Sequence, residues 1–197
     1  MEFHKDLSML GWEEVRRRQL HRLPLAQRWI DLAGLREGEV VLDIGPGPGV
    51  FAARYAEAVG RGGKVIALEK SREAIALLRA EASRTGSRVV AVEGDAETAG
   101  ALAGLGRIDA VLLTDVLHHT DAPERVLRNV RAELPHARVL VSEFDPEAAG
   151  AFGPPLAKRL PQADVEAMLR ESGYADIAGG TLEYEHYYLL AEPPQPQ

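Results

Sequence analysis

Short apolar runs bounded by glycine or charge alternate along the chain with longer stretches whose apolar residues recur at helical spacing. Runs of the first kind read as buried strands and the second kind as amphipathic helices. Strands are expected within Glu39–Ile44 and at Lys64–Leu68, Val89–Glu93, Ile108–Leu113 and Arg138–Glu143. Helical spacing runs from about Ser8 through Leu20, then over Leu25–Ala33, Val50–Val59, Ser71–Thr85, Thr98–Leu105, Pro123 to about Leu134, and Pro161–Ser172. Ala175–Thr181 and Glu183–Ala191 read as two strands joined by a tight reversal. Near-regular alternation of strand and helix demands a parallel sheet covered on both faces, and the closing hairpin turns the last strand antiparallel. The expected fold is therefore α/β, a Rossmann-like three-layer sandwich around a mostly parallel seven-stranded sheet.

Boundary residues sharpen several of these elements. Ser8 is a candidate cap for the first helix and Ser71 for a later one. Pro24 fits the first turn of the second helix and Gly34 its end. Thr120 or Asp121 would cap the helix that has Pro123 in its first turn. The first helix is either a lid over a ligand, offering Phe3, His4, Trp12 or an arginine, or a solvated flanking helix. The expected organisation is 1–34 as N-terminal helices, 35–192 as the catalytic-type domain, and 193–197 (P-P-Q-P-Q) as a disordered tail.

The chain has 197 residues, 46% of them hydrophobic, which suits one globular domain with a full core. Its net charge of −7 argues against electrostatic binding to nucleic acid. No apolar run is long enough to span a membrane, and the first residues lack an apolar signal core, so a cytoplasmic protein is expected. Cysteine is absent, which removes disulfides, thiolate metal sites and thiol nucleophiles. No metal is expected.

Chemistry concentrates at the ends of the expected strands. The first strand runs into D-I-G-P-G-P-G, with Asp43 at the strand end and Gly45, Gly47 and Gly49 following. Glycines there let the backbone turn sharply and approach a ligand closely. The dinucleotide fingerprint would need a third glycine at position 50, where Val50 stands, and no lysine follows the loop as a phosphate loop requires. A carboxylate beside the loop suits a cationic ligand better than a pyrophosphate. Glu69 ends the second strand, about 20 residues on, where an acid can accept both hydroxyls of a ribose. Asp95 follows the third strand, placed to meet an exocyclic amine. In an open parallel sheet these three acids would share one rim.

These motifs resemble those of class I S-adenosylmethionine-dependent methyltransferases. D-I-G-P-G-P-G matches the first motif, L-E-K-S the second, G-D-A-E the third, and D-A-V-L-L-T-D-V-L-H-H the fourth. The similarity runs from Leu35 to Ala191, with P-H-A-R standing where a Pro-Gly-Gly turn is usual. By that resemblance Gly45, Gly47 and Gly49 admit the cofactor, Asp43 helps place its amino end, and Glu69 holds the ribose. Lys70 and Ser71 would flank the adenine, Asp95 and Ala96 meet its edge, and the backbone of Leu113, Thr114 and Asp115 receive the ammonium. The cofactor implied is S-adenosylmethionine, leaving as S-adenosylhomocysteine.

Asp115 and His119 are the expected catalytic candidates, as base or substrate orienter, with His118 in a positional role and Glu143 and Asp145 behind them. Tyr184, Tyr187 and Tyr188 are candidates for a substrate pocket. The expected acceptor is a small molecule, with dimerisation or the N-terminal helix completing its pocket. The competing readings are a hydride-transferring dehydrogenase, disfavoured by Val50 and the closing hairpin, and a non-catalytic cofactor-binding or interaction protein on the same scaffold.

Overall fold

The computed structural model describes residues 9–194. Two helices, α1 (Trp12–His21) and α2 (Pro24–Ala33), precede the sheet region. There follow β1 (Val40–Ile44), α3 (Val50–Val59), β2 (Lys64–Glu69), α4 (Arg72–Thr85), β3 (Val89–Glu93) and β4 (Ala110–Thr114). The chain ends with α5 (Pro123–Glu133), β5 (Arg138–Phe144), α6 (Gln162–Glu171), β6 (Asp176–Leu182) and β7 (His186–Glu192). The expected cap Ser8, the lid candidates Phe3 and His4, and residues 195–197 of the tail lie outside the described residues.

The seven strands form one sheet in the order β3-β2-β1-β4-β5-β7-β6. β1 to β5 are mutually parallel, and β7 is antiparallel to both β5 and β6. The last strand is thus interior, and β6 forms the edge. Strand order reverses between β1 and β4, which opens a crevice at the carboxyl ends of the central strands.

Both faces of the sheet are buried because the central strands are apolar at odd and even positions alike. Leu42, Ile66, Val111, Leu113 and Val139 pack on one side with Val126 and Leu127 of α5 and Leu169 of α6. Val41, Val65, Leu112 and Leu140 pack on the other with Trp29 of α2 and Phe51 and Tyr55 of α3. Trp29 is fully buried, its ring edge-on to Phe51 at 4.9 Å between centroids. The segment 24–33 therefore belongs to the core of the domain rather than flanking it.

Three local expectations need correction. α1 begins at Trp12, with Gly11 at the cap position. Residues 98–105 form successive turns and no helix. Gly100 and Gly106 there have left-handed backbones, and the Glu133 carboxylate accepts the amides of Gly100 and Leu102 in place of a helical ladder. α5 is capped by neither Thr120 nor Asp121: Ala122 occupies the cap position, and the distant Glu97 carboxylate accepts the Asp121 and Ala122 amides. Ser71 does cap α4, accepting the Ala74 amide at 3.3 Å, and Gly34 ends α2 in a left-handed conformation.

β1 carries a buried acid. Asp43 is 1% exposed, and its Oδ2 has no hydrogen-bond partner. By the two-residue period of a strand it shares the α3 face with Val41. Burial, assisted by the like charge of Glu69, pushes its carboxyl up to about 8.

Two outcomes follow from this packing. Trp29→Ala is expected to destabilise the protein by about 3–5 kcal/mol in urea unfolding. The unfolded chain ionises Asp43 near pH 3.9, whereas the folded protein retains the proton to about 8. The stabilisation is therefore complete below about pH 4 and is lost as pH rises toward 8. Urea midpoints of the ligand-free protein should fall across that window, and Asp43→Asn should flatten the fall.

Candidate functional site

A cavity of about 1020 Å³ lies at the crevice between β1 and β4. That exceeds the upper end of the ~300–1,000 Å³ usual for one bound ligand. Its floor is the carboxyl edge of the sheet, and α1 lies across its top, contributing Trp12, Val15, Gln19 and His21.

The glycine loop forms one end. Gly45 and Gly47 line the cavity with left-handed backbones, φ 70° and 56°. A Cβ on Gly45 would lie 2.3 Å from a Val116 methyl, so glycine is obligatory there. Gly49 also has a left-handed backbone, but it sits at the α3 cap against Leu78 and does not line the cavity. Glu69 is 7% exposed and ties two loops together: its carboxylate accepts the Gly47 amide at 3.1 Å and the Ser71 amide at 2.9 Å. Burial raises its pKa, against the lowering effect of those amides. Lys70, Ser71, Asp95 and Ala96 continue the same wall, with Asp95 Oδ1 accepting the Glu97 amide. Leu113 and Thr114 complete it from β4. Asp43 stays behind β1, outside the lining.

α1 is fastened to this loop by Gln19. Its amide nitrogen donates to the Pro46 carbonyl at 3.0 Å, and its Oε1 accepts the Val50 amide at 3.4 Å. A second tie lies just past α1, where Arg22 pairs with Asp115 Oδ2 at 2.8 Å. Asp115 Oδ1 meets His186 Nε2 at 2.6 Å, and His186 Nδ1–H donates to the Tyr184 carbonyl at 2.9 Å. Both nitrogens of His186 therefore face oxygens. Burial works to raise the Asp115 pKa, but the charges of His186 and Arg22 outweigh it and hold the carboxyl well below the usual range. Asp115 also has a left-handed backbone, φ 58°, a conformation that costs a non-glycine residue about 1–3 kcal/mol.

The other end of the cavity is lined by rings. His118 and His119 form a single 3₁₀ turn with Leu117, and their rings lie 4.1 Å apart. His118 Nδ1–H donates to Glu143 Oε2 at 2.5 Å, while Glu143 Oε1 accepts the Val116 and Leu117 amides. Burial disfavours the charged imidazole, but the Glu143 charge and hydrogen bond prevail and raise its pKa. Phe144 and Phe152 line the same end. Asp145 does not: its Oδ1 accepts the Glu147 amide and its carbonyl accepts from Arg159. Tyr184, Tyr187 and Tyr188 also lie outside the lining, and the Tyr187 hydroxyl donates to the Leu160 carbonyl.

The structure thus brings Gly45, Gly47, Glu69, Lys70, Asp95, Ala96, Leu113, Thr114, Asp115 and His119 to one cavity. Gln19, Arg22, Phe152 and His186 were not singled out from sequence. Arg22 and His186 lie 93 and 71 residues from Asp115, and no local pattern links such positions.

This geometry suits a cationic nucleoside. The rim offers carboxylates and backbone, and Asp43 carries a buried oxygen with no partner in the chain. A methyltransferase-domain family profile matches residues 41–136. An uncharacterised 37.1 kDa transposon-encoded protein of Streptomyces fradiae is 33% identical over 120 residues, 59% of this chain and 33% of that protein. The ribosomal RNA small subunit methyltransferase A of Magnetococcus marinus is 40% identical over 72 residues, 36% of this chain and 24% of that enzyme. The chain spans a third or less of the length of these two curated relatives. A solved S-adenosylmethionine-dependent methyltransferase from Aquifex aeolicus superposes with a TM-score of 0.81 over 98% of this chain and 100% of its own, at 20% identity. The cofactor implied by this family and fold is S-adenosylmethionine. Residues 41–136 thus match a methyltransferase-domain family, in a chain that has the fold of a solved S-adenosylmethionine-dependent methyltransferase.

Proposed function

We propose that the protein is an S-adenosylmethionine-dependent methyltransferase acting on a small-molecule acceptor. The observation that carries this reading is the cavity itself, one continuous space of about 1020 Å³ from the acid-rimmed glycine loop to the ring-lined end. When bound, S-adenosylmethionine supplies an electrophilic methyl group on a sulfonium.

In this reading the chain's main contribution is alignment. The backbone of Gly45 and Gly47 admits the cofactor, and Glu69 holds the ribose hydroxyls. Lys70 flanks the adenine, while Asp95 and Ala96 meet its edge. Leu113 and Thr114 offer backbone to the methionine portion, and Asp43 supports the amino end from behind β1, directly or through water. Gly49 serves by starting α3 in the right direction.

Where the acceptor must lose a proton, His119 is better placed than Asp115, while His118 is held by Glu143 in a positional role. Both Asp115 oxygens are engaged, and its carboxylate is held too weakly basic to accept a proton near neutral pH. Asp115 instead fixes the end of β4 between Arg22 and His186. α1 acts as the lid, setting Trp12, Val15, Gln19 and His21 over the cavity. The net charge of −7 favours a small acceptor over nucleic acid, and the cytoplasm is the compartment proposed.

Calorimetric titration of the wild type and Glu69→Ala with S-adenosylmethionine and S-adenosylhomocysteine tests the reading. Micromolar binding is expected, weakened in the variant by about ten-fold or more, or about 1.4 kcal/mol. A wild type that binds neither compound would overturn it.

A further inference from the structure

The ring-lined end of the cavity is assembled from three separate elements: His21 on α1, His118 and His119 after β4, and Phe144 and Phe152 at and beyond the end of β5. His21 stacks on Phe152 at 5.8 Å and 26°, and Tyr184 meets the same ring edge-on at 5.4 Å. Phe144 is edge-on to His118 at 5.9 Å. Such a surface is rich in rings, with imidazole nitrogens and the Arg22 guanidinium, 5.2 Å over Phe144, as its polar groups, and offers ring–ring geometries that an aliphatic chain cannot use.

This wall is built in advance of any ligand. The segment 145–155 has no helix or strand, yet its backbone is tied at many points. The Glu185 carboxylate accepts the amides of Gly150, Ala151 and Phe152. Arg159, whose side chain is fully buried, donates to Glu185 and to the carbonyls of Asp145, Phe152 and Pro154. The guanidinium of Arg159 also lies over the Phe144 ring at 5.4 Å. A Cβ on Gly153 would come within 2.4 Å of that ring, so the loop backbone rests directly on Phe144. Tyr184 and Glu185 adopt left-handed backbones, φ 57° and 62°, in the turn that delivers this carboxylate and the Tyr184 ring together.

We infer that this end of the cavity is a subsite for a flat aromatic or heteroaromatic acceptor seated against Phe152, and that Glu185 and Arg159 are positioning residues that hold its wall. The inference deepens the methyltransferase reading by naming the acceptor class, and it rests on that reading for the identity of the second ligand. A preformed wall selects a rigid planar shape, because neither the loop nor the ring must reorganise on binding.

Calorimetry with phenol, 2-naphthol and 8-hydroxyquinoline, against their saturated counterparts cyclohexanol, decahydro-2-naphthol and decahydro-8-hydroxyquinoline, tests it with and without saturating S-adenosylhomocysteine. At least one aromatic compound is expected to bind about five-fold or more tighter than its saturated partner, and Phe152→Ala to remove that preference. Glu185→Gln should weaken aromatic binding several-fold, leave S-adenosylhomocysteine affinity within about two-fold, and speed proteolysis within 145–155. Equal binding of aromatic and saturated compounds, no binding of either set, or a preference that survives Phe152→Ala in a folded protein would overturn the inference. Loss of S-adenosylhomocysteine binding alone falls on the cofactor reading, because the aromatic preference is then still read from the titrations without it.

Discussion

Carboxylates that accept backbone amides hold together the irregular chain at the carboxyl edge of the sheet. Glu69 takes the amides of Gly47 and Ser71, Glu143 those of Val116 and Leu117, and Glu185 those of Gly150, Ala151 and Phe152. Glu97 and Glu133 do the same for the start of α5 and for the turns after β3. A loop that must remain irregular to shape a site has amides that no helix or strand can satisfy. Charged acceptors meet that need at about 1.5–3 kcal/mol per bond, more than neutral groups would give. The loops gain definition without gaining secondary structure, and the cavity keeps its shape.

The same principle distinguishes the two ends of the site. At the glycine end the acids themselves face the cavity: Glu69, which ties two loops together, is also part of the lining. At the ring-lined end they stand behind the surface: Glu143 backs His118, and Glu185 backs the loop bearing Phe152. Asp115 belongs to neither arrangement. It lies between Arg22 and His186, joining the segment after α1 to the ends of β4 and β7, and its left-handed backbone is maintained by those ties.

Much of the fold was legible in the sequence because the signal for it is local. The strand runs around Asp43, Glu69 and Asp95 end at acids, and alternation with helices puts those ends on one rim. The glycine pattern declared a loop that needs left-handed backbone. Asp43 was legible as an acid near the end of the first strand but not as a buried one behind the cavity, since that depends on which sheet face its side chain takes relative to Tyr55. Residues 98–105 misled because their apolar spacing is helical, while Gly100, Gly104 and Gly106 and the Glu133 carboxylate favour turns. Gln19, Arg22, His186 and the Arg159–Glu185 pair were invisible for a different reason. Their partners lie far away in sequence, and only the assembled sheet brings them together.

The wall beyond β5 is fastened by two side chains that touch backbone rather than the cavity. Arg159 and Glu185 read carbonyls and amides, which every residue type presents alike. Residues of the 145–155 segment other than Gly150 and Gly153, whose backbones are left-handed, can therefore change identity while the fastening stays as it is. Such a division lets the lining of one end of the cavity vary through substitutions in a single short segment, with the sheet and the glycine loop left unaltered. Evolvability, in this protein, is a property of where the hydrogen bonds go.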